Sequence, residues 1–102
     1  MSPTREIEAA GIFLSHGVLD AATTVLAAVH VGAHVEGNPL MRALLREGVG
    51  FAAGSMLFVV GLLAAAWPHV ADRYDFPRWF APLLCAVGLA VAVGNVVVVL
   101  RV

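Results

Sequence analysis

The chain has 102 residues, 61% of them apolar, and a mean hydropathy of +0.92. Soluble domains average about 45–50% apolar, so this composition describes an integral membrane protein with no room for a separate soluble domain. A net charge of −1 offers no basic patch for nucleic acid, and one cysteine, Cys85, excludes an intramolecular disulfide.

The segment Met1-Ser2-Pro3-Thr4-Arg5-Glu6-Ile7-Glu8 is not the positive n-region of a signal peptide, and Asp20 interrupts the apolar run behind it. The first span, residues 9–35, is therefore expected to stay in the mature protein. Between Glu8 and Glu36, Asp20 is the only residue with a fixed charge. An aspartate at the centre of a spanning helix costs roughly 2.5–3.5 kcal/mol, so it is expected to face a partner, a cavity or a proton path. At 100° per residue His16, Asp20, Thr23, Ala27, His30 and His34 share one stripe, with Thr24 at its edge. Leu19, Val25, Leu26 and Val29 lie opposite and suit lipid.

Gly32 and Gly37 loosen the chain around Glu36-Gly37-Asn38-Pro39. Asn38 is placed to cap a helix that Pro39 begins, and Glu36 can satisfy amides around the turn. Residues 39–47, with Arg42 and Arg46, form a short interfacial helix. The second span follows at 49–67, with Gly50, Gly54, Gly61 and Ala65 on one face. A loop of residues 68–78 holds His69, Asp72, Arg73, Tyr74 and Asp75, and Trp67 and Trp79 flank it at headgroup level. The third span, residues 79–101, tolerates Pro82 in its first turn. It carries a stripe of Ala81, Cys85, Gly88, Ala92 and Asn95, small enough for close approach and ending in an amide that can bond across a helix contact. Arg5, Arg73 and Arg78 lie on one side and Arg42, Arg46 and Arg101 on the other, so the positive-inside rule gives no orientation.

The expected fold is all-α: a single-domain three-helix transmembrane bundle with a short interfacial helix after the first span. Counting from the helix ends puts Thr23, Thr24, His30, Ser55 and Asn95 in one polar layer. Glu36 and Asn38 cap that side. Asp20 lies deeper, one turn from His16, where the pair can share a proton.

Leu19-Asp20-Ala21-Ala22-Thr23-Thr24 and Glu36-Gly37-Asn38-Pro39-Leu40-Met41 together resemble a family of small prokaryotic multi-pass membrane proteins of unknown function. The family has an Asp-x-x-Thr first helix, a Glu-x-Asn-Pro turn and a late asparagine. The resemblance covers nearly the whole chain. It implies three or four helices and makes Asp20, Thr23 or Thr24, Glu36, Asn38, Pro39 and Asn95 the signature positions. Many relatives carry a lysine in the second span. Here no basic residue lies between Arg46 and Arg73, apart from His69.

The chemistry of these residues divides three ways. Asp20 serves either as a neutral acid fixing helix register or as a proton- or cation-handling carboxyl. His30 and His34 have the i,i+4 spacing of a metal pair, and Glu36 can add a carboxylate. His16 is about 27 Å from His34 along a helix axis, and Val31 stands where a zinc protease carries glutamate. Bis-histidine haem needs a second histidine-bearing helix, or two protomers face to face. Ser15, Ser55, Thr23 and Thr24 belong to no nucleophile motif. The expectation is a non-enzymatic protein of the cytoplasmic membrane with no cofactor. It acts in the lipid bilayer through helix association, as a homo-oligomer or with a membrane protein partner as an accessory subunit. The alternatives are a proton- or cation-conducting device using Asp20 with His16 as relay, and a metal, haem or enzyme site at His30, His34 and Glu36.

Overall fold

A computed structural model describes residues 3–101; Met1, Ser2 and Val102 lie outside the described residues. Three helices are long and apolar enough to cross a membrane: Pro3–His30, Val49–Arg73 and Phe80–Leu100. A short helix, Pro39–Glu47, precedes the second of them. Among the described residues there is no strand, and the fold is an all-α bundle.

The first helix is longer at its start than the apolar run alone indicates, beginning at Pro3 rather than near residue 9. The reason is charge pairing. Arg5 is only 2% exposed. Its guanidinium donates to Glu8 Oε1 at 3.0 Å, to Asp72 Oδ1 at 3.3 Å and to the Phe76 carbonyl at 2.7 Å. Glu8 Oε1 also accepts the Trp67 indole N–H at 3.1 Å. With partners in place, charged residues can enter the helix and the packed end of the bundle. At its other end the helix stops at His30 rather than near 35, because Gly32 takes a φ of +138° and a 3-10 turn, Ala33–Val35, follows. A side chain at Gly32 would meet both that strained φ and His34 Nδ1, 2.7 Å from an added Cβ.

The short helix has the expected bounds and cap. Asn38 Oδ1 accepts from the amides of Leu40 at 3.0 Å and Met41 at 3.4 Å, and Pro39 occupies the first turn. The second long helix, however, does not end at Trp67. It runs through Pro68 to Arg73, so the connecting loop is shorter than residues 68–78. A proline inside a helix forfeits one backbone hydrogen bond. Beyond it, Ala71 is fully buried and Asp72 is held by Arg5, which keeps the last turn in register.

Trp67 likewise turns inward rather than to the headgroup level. Its ring stacks on Phe80 with centroids 5.6 Å apart and meets Phe76 edge-on at 5.2 Å, whereas Trp79 is largely exposed. Ile12, Ala64, Ala71 and Ala81 complete this core.

The third long helix lies within a residue of its expected bounds. It buries Ala81, Gly88 and Ala92, the expected small-residue stripe, against the first helix. At Gly88 the approach is close enough that an added Cβ would sit 2.9 Å from Ser15 Cβ. Of the glycine face of the second long helix only Gly61 is turned to the first helix, where an added Cβ would lie 3.6 Å from Phe13. Gly50, Gly54 and Ala65 are exposed, and Ala52, Met56, Ala64 and Trp67 make the contact instead. Met56 and Trp67 supply contact area that glycine lacks.

The first helix is therefore the centre of the bundle. The second and third long helices flank it and, beyond the Trp67–Phe80 end, do not pack closely on one another.

An engineered disulfide tests this placement. An added Cβ at Gly11 lies 3.1 Å from Cys85 Sγ, between the S–S length of about 2 Å and the Cβ–Cβ span of about 3.8 Å in a disulfide. Gly11→Cys should cross-link to Cys85 within one chain under mild oxidation, read as a loss of free thiols without dimer formation. Persistent free thiols would contradict the packing of the first helix against the third.

Candidate functional site

The site begins with an irregularity in the first helix. Phe13–Leu19 forms a π-helical segment, a rare geometry that in proteins is often found at functional positions. Within it Ser15 donates to the Gly11 carbonyl at 2.8 Å, and Gly17 is buried beside Phe13 and Val60. The α-helix resumes at Asp20.

Four polar residues converge just beyond that point. Asp20 Oδ1 accepts from Thr24 Oγ1 at 3.1 Å and from Asn95 Nδ2 at 3.3 Å. Asn95 Nδ2 also lies 3.0 Å from Thr23 Oγ1 and 3.2 Å from Thr24 Oγ1. An amide nitrogen has two protons for three acceptors, so at least one is shared. Thr23 gives its own proton to the Leu19 carbonyl at 2.8 Å, which leaves its oxygen free to accept. Thr24 gives its proton to Asp20 and accepts from Asn95. Every group in the cluster thus has a role consistent with its chemistry, and Thr24, at the edge of the expected stripe, is buried.

Asp20 Oδ2 takes no hydrogen bond among the described residues. Asp20 is half-buried and lines a cleft of about 280 Å³ with His16, Ser55 and Met56. Leu40, Met41 and Leu44 of the short helix form one wall of that cleft. An adjoining cleft of about 380 Å³ shares His16 and Val60 and continues past Ile12 to Trp67, with Leu84 of the third long helix on its far side. The two make one groove along the first helix.

The structure separates several residues that the sequence suggested would meet. His16 and Asp20 line the same cleft but share no hydrogen bond. His16 Nε2 instead meets the Leu84 carbonyl of the third long helix at 2.6 Å. Ser55 lines the groove and does not join the Asn95 cluster. His30 is exposed, and its Nδ1 meets the Leu26 carbonyl of its own helix at 3.0 Å. The break at Gly32 removes His34 from the helix, so the i,i+4 relation with His30 does not exist in space. Glu36 faces its own turn, accepting the Asn38 amide at 3.1 Å while its carbonyl accepts from Arg42 at 3.1 Å. Among the described residues no three His, Cys, Asp or Glu side chains gather as a metal site.

Two contacts were beyond sequence reasoning. The Leu84 carbonyl that holds His16 is backbone and carries no residue signature. The Arg5–Glu8–Asp72 cluster did leave one sign, an i,i+3 opposite-charge pair at the mouth of an apolar span.

A family model for a domain of unknown function (DUF5658) matches residues 12–101, and the chain belongs to that family. The matched region contains Asp20, Thr23, Thr24, Glu36, Asn38, Pro39 and Asn95, and it begins after Arg5 and Glu8. No curated protein and no solved structure matches the chain.

The two histidine contacts fix proton positions. A carbonyl oxygen only accepts, so the proton of His16 is on Nε2 and that of His30 on Nδ1. Nitrogen-15 NMR of the neutral imidazoles should show opposite tautomers at these two residues. The same tautomer at both would contradict one of the two contacts.

Proposed function

We propose that this is a multi-pass protein of the cytoplasmic membrane that works through helix association, as a homo-oligomer or as an accessory subunit, and that it is not an enzyme. One observation carries the reading. Both outer helices present strips of small residues that the fold leaves unused: Gly50, Gly54 and Ala65 on the second long helix, and Ala86, Ala90 and Gly94 on the third, all exposed. An added Cβ at Gly50, Gly54 or Gly94 would find no atom within 4 Å.

Exposed leucine or valine is no argument in a bilayer, since lipid tails are as apolar as they are. Small residues four apart are different, because they let a second backbone approach to contact distance. The strip on the third helix lies opposite its Gly88–Asn95 face, so the contact with the first helix and an outer contact can coexist. The hydroxyl chemistry supports the non-enzymatic part. Ser15 and Thr23 donate to backbone carbonyls and Thr24 to Asp20, which suits structural hydroxyls rather than activated nucleophiles.

Native mass spectrometry of protein released gently from its own membrane tests the reading. The expected particle is an integer multiple of the chain mass, or the chain with a partner subunit. The double substitution Ala90→Leu, Gly94→Leu should weaken that association about tenfold or more while helicity is retained. A strictly monomeric wild-type particle with no co-purifying subunit would sink the proposal.

A further inference from the structure

We propose that the groove along the first helix binds a hydrophobic amine, with its ammonium group on Asp20 Oδ2 and its apolar part laid toward Trp67. This goes beyond association, which involves the outer faces of the two flanking helices rather than the groove between them.

Charge is the first ground. Asp20 Oδ1 accepts from both Thr24 and Asn95. Oδ2 has no hydrogen bond among the described residues, and no arginine lines either cleft. The chain has no lysine. A carboxylate at this depth is costly alone, and a bound cation removes the net charge. A cationic ligand would supply that counter-charge from outside the chain.

Shape and access decide which cation. The wall from the short helix is Leu40, Met41 and Leu44, so a hydrated metal ion arriving along the bundle axis from that side meets an apolar barrier. The groove instead lies between two flanking helices that do not close over it. The larger of its two parts, about 380 Å³, falls within the range of small-molecule sites, roughly 300–1,000 Å³, and the smaller, about 280 Å³, adjoins it. About two helical turns separate Asp20 from Ile12, room for an alkyl or aryl tail between Val60 and Leu84. An ammonium donates up to three hydrogen bonds, and the Ser55 hydroxyl lines the same cleft as a second acceptor.

Trp67 lines the far end of the groove and is one of two tryptophans, which gives a direct readout. The full chain carrying Trp79→Phe is placed in nanodiscs of phosphatidylcholine alone, so that Trp67 is the sole indole. It is titrated with decylamine and, separately, with decanol. Decylamine should change Trp67 emission saturably, at a concentration at least about tenfold below any effect of decanol. Asp20→Asn should abolish the preference for the amine, and Asp20→Glu should restore part of it, with helicity by circular dichroism unchanged in both. Equal responses to decylamine and decanol would overturn the proposal. So would an amine preference that survives in Asp20→Asn, since it would then reflect partitioning into the bilayer.

Discussion

The side-chain amide of Asn95 reaches three oxygens of the first helix, on Thr23, Thr24 and Asp20, and the arrangement of the bundle depends on that contact. Inside hydrocarbon there is no water to take up an unpaired donor or acceptor, so the polar face of the first helix has to find its partners in protein. Asn95 supplies them from the third long helix. Gly88, two turns earlier on the same face, removes the bulk that would hold the backbones apart. The first helix is drawn to the centre, and the more uniformly apolar helices take the outside, where lipid satisfies them.

The opposite end of the bundle is fastened by a different means. Arg5, Glu8, Trp67 and Asp72 form a connected set of hydrogen bonds and ion pairs, sealed beneath by the stacked rings of Trp67 and Phe80 and the edge-on ring of Phe76. The first helix is thus held by polar clamps at two levels, to the second long helix near its start and to the third beyond Asp20. The π segment lies between the two clamps. Its wider turn changes the phase of the helix, so that Arg5 and Ile12 before it and Ala21, Thr24 and Ala27 after it are all buried. Beside it the Leu84 carbonyl takes His16 and the Asn95 amide takes Asp20 Oδ1, which leaves Oδ2 open to the groove.

What could be read in advance was what depends on near neighbours in sequence. Hydropathy located three spans, Asn38 and Pro39 located the short helix and its cap, and the four-and-three spacing of Ala81, Cys85, Gly88, Ala92 and Asn95 located the face of the third helix. Partners far apart in the chain were not legible. Arg5 and Asp72 read as tail and loop until folding brings them together. Residues 68–73 read as loop because the contacts that hold the helix beyond Trp67 come from other elements. His16 and Asp20, and likewise His30 and His34, were paired on the assumption of unbroken α-helix. The Leu84 carbonyl takes His16 out of the first pairing, and the break at Gly32 undoes the second. The glycines of the second helix were read as an internal face, yet small residues mark any close helix contact, and here only Gly61 turns inward, toward Phe13, while Gly50 and Gly54 point outward.

A double-mutant cycle on the unfolding free energy in mixed micelles tests the central contact most directly, using Asp20→Ala, Asn95→Ala and the pair. If Asn95 bonds into the Asp20 cluster, the double variant should lose less stability than the two single losses combined. The expected coupling is about 1 kcal/mol, within the range of hydrogen bonds between membrane helices. Additive losses, with no coupling beyond error, would contradict the account that this polar contact sets the first helix at the centre of the bundle.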